Sequence, residues 1–145
     1  MSRKYRWLLL FIRMVLGSVF LISAAFKLAS PMDFAQSIIN YQVFGLILSH
    51  WGAVLIPALE TLLGIMLLTR LWVKETLVLT LGLYLIFDIM ILQAYFRGLD
   101  VACGCFNPAD QRPIDIYKLI ENFLLTILSI SSIVIYRKID QTAKN

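Results

Sequence analysis

Residues 7–27 read WLLLFIRMVLGSVFLISAAFK, an apolar run interrupted by one cation, Arg13, and closed by another, Lys27. About 20 apolar residues in helical form cross the hydrocarbon core of a bilayer. Within the run, Arg13, Gly17, Phe20, Ala24 and Lys27 recur at i, i+4, i+7, i+11 and i+14, which is one stripe of a helix. A cation stands at either end with small residues between, the pattern of a face turned into a helix bundle. Ser-Arg-Lys-Tyr-Arg precedes the run, and Ser23, Ala24 and Ala25 have the look of a cleavage site. The run exceeds a typical signal-peptide core, so it is read as an uncleaved first span.

The rest of the chain agrees. Of 145 residues, 60% are hydrophobic and 15% charged, against about 45–50% and about 25% in soluble domains. With a mean hydropathy of +0.82, too few polar residues remain to cover a water-facing surface. The expected fold is an all-α integral membrane four-helix bundle, one membrane domain over 1–145, with spans near 7–27, 46–69, 76–96 and 115–136 and an outward loop over 97–114. Between spans one and two, Pro31 suits a first helical turn. Phe34, Ile38 and Tyr41 follow at i, i+4 and i+7, predicting a short amphipathic helix lying on the membrane at its periplasmic side. No length is left for a separate soluble enzyme domain.

The net charge of +4 reports topology in such a chain and does not indicate nucleic acid. Nine of the 13 cations (Arg3, Lys4, Arg6, Arg13, Arg70, Lys74, Arg137, Lys138 and Lys144) lie toward one side, and Lys27, Arg97, Arg112 and Lys118 toward the other. The asymmetry predicts a bacterial inner-membrane protein with both termini cytoplasmic and the 97–114 loop periplasmic, where disulfides are permitted.

Ionisable residues inside the spans are the first candidates for function, because each costs at least about 2.5–3.5 kcal/mol at mid-bilayer. Glu60 and Asp88 both lie about 12–13 Å below the outer surface by helical rise, a height at which the two carboxyls can meet. If they do, one of them holds its proton, but the sequence leaves open whether Glu60, Asp88 and Lys27 converge. Pro57, Glu60 and Gly64 share a face of span two; Tyr84, Asp88, Ile91 and Tyr95 share one of span three; Glu121 and Asn122 lie just inside span four. Arg13 and Lys27 are near enough to the surfaces to snorkel. Glu60 and Asp88 are too short and too deep, which leaves them either bundle-locking partners or a proton carrier or ligand contact.

The segment Val101-Ala102-Cys103-Gly104-Cys105-Phe106-Asn107-Pro108 holds both cysteines. Gly104 allows the tight backbone of a Cys-x-Cys disulfide. Closing one intervening residue contributes little as a staple, and a small strained ring is the labile, oxidising kind, which favours redox chemistry. Two alternatives stay open: a soft-metal site completed by His50, and unreactive thiols or a structural bond. His50, the one histidine, is either a boundary residue at the membrane surface or the group that lowers a thiolate pKa or accepts its proton.

Lys27 with Pro31 and Phe34, Tyr41, Pro57-x-x-Glu60 with Gly64, Arg97-Gly98 and Cys103-Gly104-Cys105-Phe106 together resemble the MauE branch of the DoxX-like membrane proteins. The resemblance implies a four-helix membrane bundle that forms disulfides beside a periplasmic thioredoxin-like partner, as in methylamine dehydrogenase maturation; DoxX-like relatives are linked to quinone-coupled sulfur oxidation. Cys103 and Cys105 would be the redox pair, facing Lys27 and Glu60. Asn107 replaces an expected Gly, and Glu121-Asn122 an expected Arg-Asn.

The expected function is therefore a thiol–disulfide oxidoreductase exchanging disulfides with a thioredoxin-like protein through Cys103 and Cys105. A membrane quinone, inferred from need and analogy, would take the electrons near Lys27, Glu60, Glu121 and Asn122. Lys27 or His50 would stabilise the thiolate and reduced-quinone charge, and Glu60 would handle protons. Nothing signals haem, flavin or nucleic acid; lipid is the other expected partner. The alternatives are a non-enzymatic subunit that docks a redox protein or holds a soft metal at the Cys-x-Cys loop, and a transporter using the buried acids.

Overall fold

In hydrocarbon every backbone N–H and C=O must be satisfied within the protein, so the four apolar runs form helices. The computed structural model describes residues 2–42, 45–98 and 116–144. They form α1 (Ser2–Ala29), α2 (Pro31–Asn40), α3 (Leu46–Thr69), α4 (Val73–Phe96) and α5 (Ile116–Lys144). All but α2 are long and apolar enough to cross a membrane, and no strand occurs among the described residues. The outer two helices run past the expected spans into their basic ends, where Arg and Lys are good helix formers. Helix α4 starts three residues early because α3 and α4 are joined by Arg70, Leu71 and Trp72 alone. Arg70 and Trp72 make this tight turn in left-handed conformation, at φ 61° and 41°.

The four long helices form a ring in the order α1, α3, α4, α5, and α1 packs most extensively on α3. The diagonal pairs meet only through side chains. Phe20 of α1 and Tyr84 of α4 stack across the centre, ring centroids 4.9 Å apart and planes 11° from parallel, among Leu16, Leu63, Leu77 and Leu125. Outside the ring, Trp7, Phe11, Ile47, Leu55, Ile86 and Phe123 are exposed, as suits a surface solvated by lipid.

Helix α2 departs from expectation in one respect. Phe34, Ile38 and Tyr41 do share an inward face, each 4% exposed. That face does not rest on the membrane, because Phe34, Ala35 and Ile38 pack against Ala53 and Ile56 of α3. Protein supplies the apolar cover, so α2 belongs to the bundle. Tyr41 packs on Ala94 of α4, and its burial pushes the phenol above its ordinary pKa, so it stays neutral. Arg97 then donates to Gln42 at 3.2 Å, tying the end of α4 to the end of α2.

The α1–α3 contact is set by two glycines. A Cβ on Gly64 would lie 3.1 Å from the Gly17 carbonyl oxygen and 2.9 Å from Leu21, and one on Gly17 would lie 3.2 Å from the Gly64 oxygen. Neither backbone has room for a side chain, the small-residue packing that lets membrane helices approach closely. Gly64→Val is expected to cost about 1–3 kcal/mol by overpacking, read as a lowered thermal midpoint in detergent. Gly82→Ala, where a Cβ meets nothing within 4 Å among the described residues, is expected to leave the midpoint unchanged or slightly raised.

Candidate functional site

Helical side chains lean toward their own N-terminus. In antiparallel helices two long side chains at different heights therefore reach toward each other. Lys27 lies ten residues beyond Gly17 on α1, and Glu60 four residues before Gly64 on α3, heights of about 15 Å and about 6 Å above the glycine contact. Lys27 leans inward, Glu60 leans outward, and the gap closes: Lys27 Nζ donates to Glu60 Oε1 at 2.5 Å, with both side chains 1% exposed. The same geometry explains why Lys27 does not snorkel, since the nearer membrane surface lies behind its direction of lean.

The pair is enclosed. Ser23 Oγ lies 3.4 and 3.5 Å from the two carboxylate oxygens of Glu60. Lys27 Nζ sits 5.0 Å from the ring centroid of Phe34 and 4.9 Å from that of Phe87, so two aromatic faces cover the ammonium from α2 and α4. Beside Glu60 a cavity of about 10 Å³ is lined by Ser23, Tyr84, Phe87 and Asn122 among others, room for about one water.

Asp88 forms a separate cluster. Asn122 Nδ2 donates to its Oδ1 and Thr126 Oγ1 to its Oδ2, each at 2.6 Å, joining α4 to α5. The convergence that the sequence leaves open is thus resolved into two partner sets, Lys27 with Glu60 and Asn122 and Thr126 with Asp88: similar depth does not decide which neighbour a side chain faces, and each acid has found hydrogen donors. Tyr84, Asp88 and Ile91 are buried as their shared face predicts, whereas Tyr95, in the last turn of α4, is 45% exposed.

Arg13 is also turned inward and does not snorkel. It is 5% exposed, and its Nη2 donates to the Leu67 carbonyl oxygen at 2.6 Å, near the C-terminus of α3, where a cation is favoured.

Of the other sequence candidates, His50 stands exposed in the first turns of α3, its Nδ1 donating to the Leu46 carbonyl oxygen at 2.7 Å, apart from the Lys27–Glu60 pair. Glu121 is exposed while its neighbour Asn122 is buried. Cys103 and Cys105 lie outside the described residues. No group of three or more His, Cys, Asp or Glu residues placed to hold a metal ion occurs among the described residues. Sequence reasoning missed three contributors. Ser23 and Thr126 were legible as i−4 and i+4 neighbours of Lys27 and Asn122, but the aromatic contact of Phe87 had no sequence signal.

The fold and this interior define a small integral-membrane four-helix bundle with a buried ion pair near one end and a cysteine-bearing connection between its last two helices. The family model described as methylamine utilisation protein MauE matches residues 5–136, and the chain belongs to that family. Neither the curated proteins nor the solved structures contain a match.

Removing one member of the pair strands the other as a buried charge, at a cost of about 3–5 kcal/mol. Lys27→Met and Glu60→Leu are each expected to lower the thermal midpoint sharply or to prevent recovery of folded protein. The double variant is expected to recover most of the loss, as a double-mutant cycle in detergent measures.

Proposed function

We propose that this protein is a membrane thiol–disulfide oxidoreductase whose Cys103–Cys105 pair exchanges a disulfide with a thioredoxin-like protein. The observation that carries the reading is positional. The Cys103-Gly104-Cys105 segment joins α4 to α5 at the end of the bundle where α2, Arg97 and the Lys27–Glu60 pair are tied together. The helix ends from which the cysteine-bearing segment leaves and to which it returns are thus braced at that end of the bundle, and family membership supports a use there.

A thiolate of the partner attacks one sulfur of the Cys103–Cys105 disulfide, breaking that S–S bond and releasing the other cysteine as thiolate. The partner's second thiolate then attacks the mixed disulfide. The partner leaves oxidised, and Cys103 and Cys105 are left as a dithiol holding two electrons and two protons. Reoxidation requires a two-electron acceptor. A quinone is the class that the family resemblance suggests, but the space beside Glu60 admits about one water, and Asn122 is committed to Asp88. These residues do not form a quinone seat, and no step is routed through one there.

The charge distribution supports a periplasmic loop. Arg3, Arg6, Arg70 and Tyr136 line one cavity, which places both terminal helix ends and the α3–α4 turn together at the basic end of the bundle. The Cys-x-Cys segment joins helices at the other end, and the positive-inside rule then favours a periplasmic position for it in a bacterial inner membrane.

Alkylation and mass spectrometry of the purified protein across a glutathione series test the assignment. A reversible intramolecular disulfide is expected, with Cys103→Ser and Cys105→Ser each abolishing exchange and one of them trapping the mixed disulfide with a thioredoxin-like protein. Re-formation of the bond on adding quinone would identify the acceptor. Thiols that stay reduced throughout the series would overturn the proposal.

A further inference from the structure

At the end of the bundle opposite Lys27 the helices frame a cavity of about 680 Å³, within the about 300–1,000 Å³ usual for small-ligand sites. Arg3, Arg6 and Arg13 of α1 line it together with Arg70 of the α3–α4 turn and Tyr136 of α5. No carboxylate is among the described residues that line it. Four like charges gathered in a concave site repel one another, and an anion relieves that repulsion. The guanidinium fork matches phosphate oxygens in pairs.

Two independent features point the same way. Arg13 is 5% exposed and spends Nη2 on the Leu67 carbonyl, yet its buried Nε has no hydrogen-bond partner among the described residues, a donor short of an acceptor. Arg70 occupies a left-handed helix-end conformation, φ 61° and ψ 25°, where glycine is the usual residue. An arginine there carries backbone strain that glycine would relieve.

The rest of the wall is apolar and leads toward the lipid-facing surface. Trp7, Leu10, Val73 and Ile139 line the cavity, while Trp7 is 64% and the nearby Phe11 66% exposed. Tryptophan favours the headgroup level of a membrane. A ligand that fits both walls is an amphiphile with a phosphate head.

We infer that this cavity binds the phosphodiester headgroup of an anionic phospholipid, the arginines holding the phosphate and the acyl chains lying along Trp7 and its apolar neighbours. Basic pockets between membrane helices bind anionic headgroups in this way. The site is distinct from the Lys27–Glu60 end and does not depend on the thiol reading.

The test is lipid retention by the full chain, read by native mass spectrometry after reconstitution in vesicles of phosphatidylcholine containing phosphatidylglycerol. Phosphatidylglycerol is expected to co-purify in preference to phosphatidylcholine. The triple variant Arg3→Gln, Arg6→Gln, Arg70→Gln is expected to weaken retention about ten- to a hundredfold, on the basis of three cations near a charged surface. A charge-matched control, Lys4→Gln, Lys74→Gln, Lys138→Gln, is expected to retain it. Arg70→Gly separates binding from folding, because relief of the left-handed strain keeps the thermal midpoint at or above that of the parent while retention falls. Equal retention of the two lipids, or an equal loss in the lysine control, would overturn the inference. Displacement of the lipid by millimolar inorganic phosphate would also overturn it, by showing that the cavity takes the free ion.

Discussion

The structure depends on one constraint: a lysine and a glutamate placed where neither can reach bulk water must find each other. A lone charge in the bilayer core carries a large penalty, and Lys27 and Glu60 avoid it only when α1 and α3 hold one register. Their contact recruits the remaining elements. Phe34 brings α2 over the ammonium and Phe87 brings α4 beneath it. Ser23 completes the carboxylate from α1. Buried ion pairs are weak evidence for added stability but can specify one arrangement among several, and here the arrangement specified is the meeting of four helices, α1 to α4, at one ammonium.

The bundle is correspondingly organised in two polar ties joined by apolar contact. Lys27 and Glu60 bind α1 to α3, while Asp88, Asn122 and Thr126 bind α4 to α5. Between these halves the centre is filled by the Phe20–Tyr84 stack and its aliphatic neighbours. Directional bonds thus set the pairing within each half, and nondirectional packing closes the halves on each other.

Much of this was legible before any coordinates. The stripe Arg13, Gly17, Phe20, Ala24 and Lys27 is buried along its whole length, because periodicity alone decides which side of a helix faces the bundle. Pro57, Glu60 and Gly64 followed the same rule. The failures share a cause. Distance to the surface allows Arg13 and Lys27 to snorkel, but distance omits the direction in which a helical side chain leans. Whether Glu60 meets Asp88 stays open in the sequence for a related reason: depth says nothing about orientation around the helix axis. Partners such as Phe87 depend on the ring order of the helices, a property of the assembled bundle that no single span encodes. The cysteine pair rests on sequence and family alone.

Arg13 and Lys27 also have a mechanical consequence. They fasten α1 to α3 at points fourteen residues apart, about 21 Å along the axis, and the glycine contact presses the two helices together between those points. A rod pinned at both ends and clamped in its middle can neither slide, pivot nor roll against its neighbour. Helices α1 and α3 therefore act as a fixed strut through the membrane, and any conformational change falls to the parts outside that strut.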